Sequence, residues 1–247
     1  MAGNSLQTRF DSAIAEGRRA TTDTFWVAYQ IPVRPGVSID SREGGIDIRS
    51  SRSLDGIEYI SSTAQAQRVG IFLLIRKSDA SIEKVRLVNL GEDFQVRDRK
   101  VYWIGDPAAQ ESVAFLTAFV DKTNGASSLL MTISLHPDPY ASDTLLRIAR
   151  NSTSTNAKKN AIFWLGQSVS RQMGEELEKI AKDDPDVEVQ KQVVFALSQR
   201  NNDESIPALI RIAKEHPSAA VRKQAVFWLG QKRDPRVLEV FEQMLKK

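Results

Sequence analysis

Two spacings of hydrophobic residues divide this chain of 247 residues. Phe25, Val27, Tyr29 and Ile31 alternate with Trp26, Ala28 and Gln30. A period of two in aromatic and β-branched residues predicts a strand, which Pro32 and Pro35-Gly36 close. Shorter strands are expected at 46–48 and 57–60, set off by the turn signals Gly44-Gly45 and Asp55-Gly56. The unbroken apolar run 69–75 suits a central strand covered on both faces. Residues 81–90 and 94–96 follow as strands, and 101–104 is expected to pair with 94–96 across the Asp98-Arg99 turn. A helix over about 6–19 completes the picture for the first hundred residues: a small, mostly antiparallel sheet with one helix laid against it. Its apolar side chains read as core.

Beyond residue 106 the spacing changes to that of helices, and the pattern itself repeats. Phe163-Trp164-Leu165-Gly166-Gln167 returns letter for letter as Phe227-Trp228-Leu229-Gly230-Gln231, with Phe195-Ala196-Leu197-Ser198-Gln199 midway. Both offsets are 32 residues, and a fixed period of this size marks stacked supersecondary units. Val113, Leu145, Leu177, Leu209 and Phe241 align in the first helix of each unit, as do Leu116, Ile148, Ile180, Ile212 and Met244 three residues on. In the second helix, Ala161, Val193 and Ala225 form one row and Leu165, Leu197 and Leu229 another; Leu129 and Ile133 extend these backward. Helix pairs are therefore expected near 110–135, 142–167, 174–199 and 206–231, with a closing helix at about 236–247. Asp106-Pro107 suits the start of the first. Ser154, Asp186 and Ser218 stand where each second helix needs an N-cap.

Units such as Asp186-Val187-Glu188-Val189-Gln190-Lys191-Gln192-Val193 and Val221-Arg222-Lys223-Gln224-Ala225 resemble HEAT repeats, in the short variety also seen in phycobilisome lyases. The whole arrangement is similar to bacterial HEAT-repeat proteins that carry a β-rich N-terminal part. The basic residue that the resemblance implies after the first valine stands as Lys158 and Arg222, but Gln190 replaces it in the middle unit, so an inter-repeat charge ladder would be incomplete. The fold class expected is α+β: a β-rich domain with an N-terminal helix at 1–106, then an α-helical HEAT-type solenoid at 107–247 of about four helix pairs and a closing helix.

Composition adds little to this. Hydrophobic and charged shares of 41% and 26% are ordinary for a globular protein. Lys and Arg number 18 against 14 Asp and Glu after residue 140, and 16 against 17 before it; this bias falls well short of the basic stripe of most nucleic-acid binders. No cysteine is present, which rules out disulfides and thiol chemistry. No apolar run is long enough for a membrane span. Residues 1–30 lack a signal-peptide layout, a reading that leaves room for a removed leader and leaves the compartment and localisation unknown.

Candidate chemistry is sparse. There is no phosphate loop, nucleophile elbow or metal-ligand spacing; no catalytic residue, metal or cofactor is expected, and the chain does not read as an enzyme. His136 and His216 each precede a proline-bearing turn and read as exposed loop residues. Glu175-Glu176 and Asp183-Asp184 read as solvated helix-end acids. Trp164 and Trp228 read as core. The one recurrent surface feature is Lys159, Lys191 and Lys223, each followed four residues later on the same face by Phe163, Phe195 and Phe227. This row is expected to form a binding stripe on the concave side of the array, the side solenoids commonly use; the bland alternative wedges the phenylalanines between neighbouring helices under the lysine stems. The leading expectation is a non-enzymatic interaction or scaffold module with a protein partner. Alternatives are a nucleic-acid-binding HEAT-like protein and a lyase-like chaperone for a prosthetic group.

Overall fold

The computed structural model describes residues 5–32, 57–59, 68–91, 94–123, 126–137, 139–167 and 171–245. The strand expected at 46–48 lies outside them. The chain divides into two compact units, Met1–Ala141 and Ser142–Lys247.

In the first unit, helix α1 (Leu6–Gly17) starts at Ser5, whose hydroxyl accepts from the Thr8 amide. Strands β1 (Thr24–Pro32), β3 (Arg68–Arg76), β4 (Ile82–Asn89) and β6 (Val101–Trp103) form a sheet in the order β4-β3-β1-β6. Strand β1 runs antiparallel to β3 from Thr24 opposite Arg76 to Pro32 opposite Arg68. Both strands are buried on both faces. One side of the sheet gathers Trp26, Ala28, Phe72, Leu74 and Val88. On the other, Tyr29 meets Phe115 edge-on with ring centres 6.2 Å apart, and Phe115 meets Phe10 of α1 at 5.1 Å.

Residues 101–104 do not pair with 94–96. Strand β5 (Phe94–Val96) pairs antiparallel with β2 (Ile57–Tyr59), while β6 lies parallel to β1, with Val101 opposite Trp26. Asp98 takes a left-handed conformation (φ 63°), but instead of reversing into a hairpin the chain crosses to the open edge of β1. There the Trp26 amide donates to the Lys100 carbonyl at 2.9 Å and the Ile104 amide to the Ala28 carbonyl at 2.7 Å. Tyr102 is held edge-on to Phe25 with centres 5.5 Å apart, a gain that pairing with the short β5 would not supply.

Helix α2 (Ala109–Thr117) starts near the expected residue 110 but is not capped by Asp106. Ala108 stands at its cap without a side-chain bond, because Asp106 is engaged elsewhere: its carboxylate accepts from Gln30 Nε2 at 2.7 Å and pairs with Arg68 at 3.3 Å. With α3 (Ala126–Ser134), α2 forms the first helix pair, and Val113, Leu116, Leu129 and Ile133 are all buried.

Three further pairs follow, α4/α5 (Tyr140–Asn151, Thr155–Gly166), α6/α7 (Arg171–Asp183, Val187–Ser198) and α8/α9 (Asn202–Glu215, Ala219–Gly230), then α10 (Pro235–Leu245). A small N-terminal sheet followed by helix pairs of constant period is the architecture the pattern of apolar rows predicts. Leu145, Leu177, Leu209, Ala161, Val193, Ala225, Leu165, Leu197 and Leu229 are all buried.

Candidate functional site

The second helices α5, α7 and α9 pack directly on one another, whereas the first helices scarcely touch. What joins the first-helix row is long charged side chains: Arg150 reaches Glu176, Arg211 binds Glu178 with two nitrogens at 2.7 and 3.1 Å, and Arg236 of α10 reaches Asp203 at 3.1 Å. Closely packed helices on one side and bridged ones on the other make the second-helix row the shorter side of the array.

Turns lock the register of this row. Ser154 caps α5 by accepting from the Ala157 amide, and Asp186 caps α7 by accepting from the Glu188 amide. Ser218 stands at the third cap position but makes no such bond. His216 stands two residues before it: its Nδ1 accepts from the Ser218 amide at 3.1 Å, as Ser152 and Asp184 accept from the amides of Ser154 and Asp186, and its Nε2–H donates to the Ala181 carbonyl of α6 at 2.8 Å. The histidine is buried, contrary to the expectation of an exposed loop residue. It satisfies a carbonyl at the end of a helix in the preceding unit, where intrahelical partners run out.

Asp184 is buried as well, not solvated, and pairs with Lys158 of the preceding unit at 2.7 Å. Gln190 donates to the Asp184 carbonyl at 2.7 Å, and Arg222 to the His216 carbonyl at 2.6 Å. Of these three equivalent side chains only Lys158 bridges to the next unit, so the charge ladder is incomplete. Glu176 sits between Arg150 and Lys179, and these partners, Lys179 foremost, hold its carboxyl below the usual range.

Of the three stripe phenylalanines, Phe163 and Phe195 meet ring to ring, whereas Phe227 joins them through Trp228. Phe163 and Phe195 stack at 6.4 Å with planes 9° apart, and Phe195 meets Trp228 at 5.3 Å. Trp164 lies edge-on to Phe163 at 5.0 Å, and Trp228 to Phe227 at 5.1 Å. The tryptophans are half-buried members of the same aromatic ladder and not core, as was expected of them. Phe163 and Phe195 are half-buried, while Phe227 is 53% exposed. Lys159 and Lys191 are partly covered and Lys223 is exposed; Lys191 pairs with Glu188 one turn back at 2.8 Å.

Gly166 explains why the motif carries a glycine. A Cβ there would stand 2.8 Å from the Cβ of Ala196 and 3.1 Å from its backbone, so α5 and α7 approach too closely for any side chain. At Gly230, the equivalent position, a Cβ would meet nothing within 4 Å among the described residues.

The first unit contains a polar line that the sequence does not announce. His136 is fully buried. A carbonyl can only accept, so its Nδ1–H donates to Thr132 at 3.0 Å, and Nε2 accepts from the Ser112 hydroxyl at 2.8 Å. The Ser112 oxygen is 3.0 Å from the Tyr29 hydroxyl. Burial holds the imidazole down at about 4 and pushes the Tyr29 phenol well above its ordinary value. A serine bonded to a histidine is the beginning of a nucleophile, but all three side chains are sealed from solvent. Their role is to satisfy one another between β1, α2 and the end of α3. No group of three or more acidic or histidine side chains among the described residues could hold a metal ion.

A family model of HEAT repeats matches residues 142–215 and again 174–247. The two windows are 32 residues apart (174 − 142), the same shift that separates the recurring aromatic motifs. No curated protein matches the chain. The helical repeats from residue 142 onward are thus HEAT-like, a kind of repeat that generally mediates protein interaction or scaffolding.

Proposed function

We propose that residues 142–247 form a non-enzymatic protein-interaction or scaffold module that engages a protein partner along the row Lys159, Phe163, Lys191, Phe195, Lys223 and Phe227. The observation that carries this reading is the aromatic ladder, which links α5, α7 and α9 through Phe163, Phe195 and Trp228 and is most open at Phe227. Rings that lie half in solvent keep surface that a partner can cover, and aromatic side chains are frequent hot spots. The close approach of α5, α7 and α9 favours placing the row on the concave side. Kinship with the phycobilisome-lyase variety, and a bacterial source, belong to this proposal too, on the strength of the repeat sequence alone.

Phe227→Ala combined with Lys223→Glu tests it. Because Phe227 is the most open ring, the double variant should melt within about 2 °C of the parent yet lose at least tenfold in affinity for a partner captured by the parent chain. Undiminished capture would sink the stripe. The nucleic-acid alternative relies on the same lysines, and the Glu188 carboxylate beside Lys191 weighs against it. Duplex DNA titrated at low and high salt checks it, since phosphate binding must weaken steeply with salt.

A further inference from the structure

We propose that the protein segment engaged by the Lys–Phe row is extended and acidic, setting one carboxylate on Lys159, another on Lys223, and apolar side chains on the rings between them. The array already holds one contact of this kind. On α7 the Lys191 Nζ donates to the Glu188 carboxylate, three residues back, at 2.8 Å. One repeat earlier that place is Asn156, and one repeat later it is Ala220. Lys159 and Lys223 therefore stand at the same point of their helices without the carboxylate, and neither side chain has an ionic or hydrogen-bond partner among the described residues. The difference is set within each helix and not by what stands beside it.

The charge of the second helices is one-sided. Helices α5, α7 and α9 carry Lys158, Lys159, Lys191, Arg222 and Lys223 against Glu188 alone. Lys158 is committed to Asp184, and Arg222 to the carbonyls of His216 and Pro217. Lys159 and Lys223 are what remains for a ligand, and opposite charge on the partner steers and orients its docking. Packed helices lie about 8–10 Å apart, so these two lysines, two helices apart, are separated by roughly 20 Å. An extended chain covers that distance in about six residues.

A nucleic acid suits the row less well. Its phosphates follow at every nucleotide, whereas the row offers two open cations with the Glu188 carboxylate between them. The Phe195 ring is already engaged by Phe163 at 6.4 Å and by Trp228 at 5.3 Å, instead of standing free for bases to stack on.

The acidic segment presupposes the array as an interaction module, yet the two can fail separately. The test uses the full chain and a fluorescein-labelled synthetic peptide with two aspartates about six residues apart and leucine and phenylalanine between them. Fluorescence anisotropy at low salt should show saturable binding. It should weaken about fivefold or more in the double variant Lys159→Gln, Lys223→Gln, and equally when asparagine replaces both aspartates of the peptide, but persist in Lys159→Arg, Lys223→Arg. Glu188→Gln should tighten binding about twofold or more, because it releases Lys191 as a third cation, a sign that damage to the fold would not produce. Absence of saturable binding overturns the proposal. So does binding that ignores the lysines, or that Glu188→Gln leaves unchanged or loosens. Duplex DNA held more tightly than the peptide, with the same dependence on the lysines, would give the row to phosphates and overturn it as well. If the peptide fails while Phe227→Ala with Lys223→Glu still loses a captured partner, only the acidic segment falls; if that capture is undiminished, the interaction stripe falls with it.

Discussion

His136 shows what a buried histidine costs and what it contributes. Its ring is neutral because burial disfavours the charged form, and Thr132 and Ser112 use both nitrogens. A folded value of about 4, set against an ordinary 6.5, means that the unfolded chain binds the extra proton first. The stabilisation is thus complete above pH 6.5 and is lost as the pH falls toward 4. At 1.36 kcal/mol per unit this amounts to about 3 kcal/mol. We expect chemical denaturation of the parent to show that loss between pH 6.5 and 4.5, and a His136→Gln variant to show a flatter profile over the same interval. Parallel profiles would contradict the assignment. A second expectation concerns Leu197, buried in the middle repeat with helices on either side: Leu197→Ala should cost about 2–5 kcal/mol by denaturant melting, and a cost below about 1 kcal/mol would remove it from the core. Leu197 was legible from its row, because burial repeats with the period. Neither histidine was, since their partners Ser112 and Ala181 stand 24 and 35 residues away and no local pattern encodes such meetings.

Elements were legible where one periodicity ruled and obscure where two uses of a segment competed. The second helices were plain from their rows, and two of their three caps followed from the side chains present. The edge strand β6 was not, because a turn signal at Asp98-Arg99 says nothing of the open edge of β1 that captures Val101–Trp103. Asp106 likewise had two futures, and its contacts with Gln30 and Arg68 prevailed over capping. The row of rings was visible in sequence, but its mixed character was not: whether a phenylalanine is wedged or open depends on what the next unit brings, alanine and serine in one case, tryptophan and glycine in another. The two glycines of the repeated motif turn this into an experiment with opposite signs. Gly166→Ala forces a methyl into Ala196 at 2.8 Å and should destabilise by about 1–3 kcal/mol, as overpacking does. Gly230→Ala meets nothing and should be neutral or stabilising by up to about 1 kcal/mol through helix propensity. Equal effects in thermal melts would mean that α5 and α7 are not so close.

At the scale of the molecule, the unit Ser142–Lys247 has two kinds of cohesion on its two sides. Rings and close backbones join the second helices; arginine–carboxylate bridges join the first. Exposed ion pairs contribute little each, so the array's resistance to unfolding resides in the apolar rows and passes from neighbour to neighbour. The last helix is the place to test this. Helix α10 packs on α8, burying Val237 and Val240 and anchoring Arg236 between Asp234 at 2.8 Å and Asp203 at 3.1 Å. A chain ending at Asp234 loses that cover. Two buried valines correspond to about 3 kcal/mol or somewhat more, and the bridges add little. For a unit of this size such a loss lowers the melting temperature by roughly 10 °C. The fall should appear in the transition of the repeat array, and capture of a partner along the Lys–Phe row should change little at temperatures below it, because Phe227 is open with α10 in place. If the shortened chain melts within about 2 °C of the parent, the repeats do not stabilise one another by stacking, and the one-dimensional picture of the array is wrong.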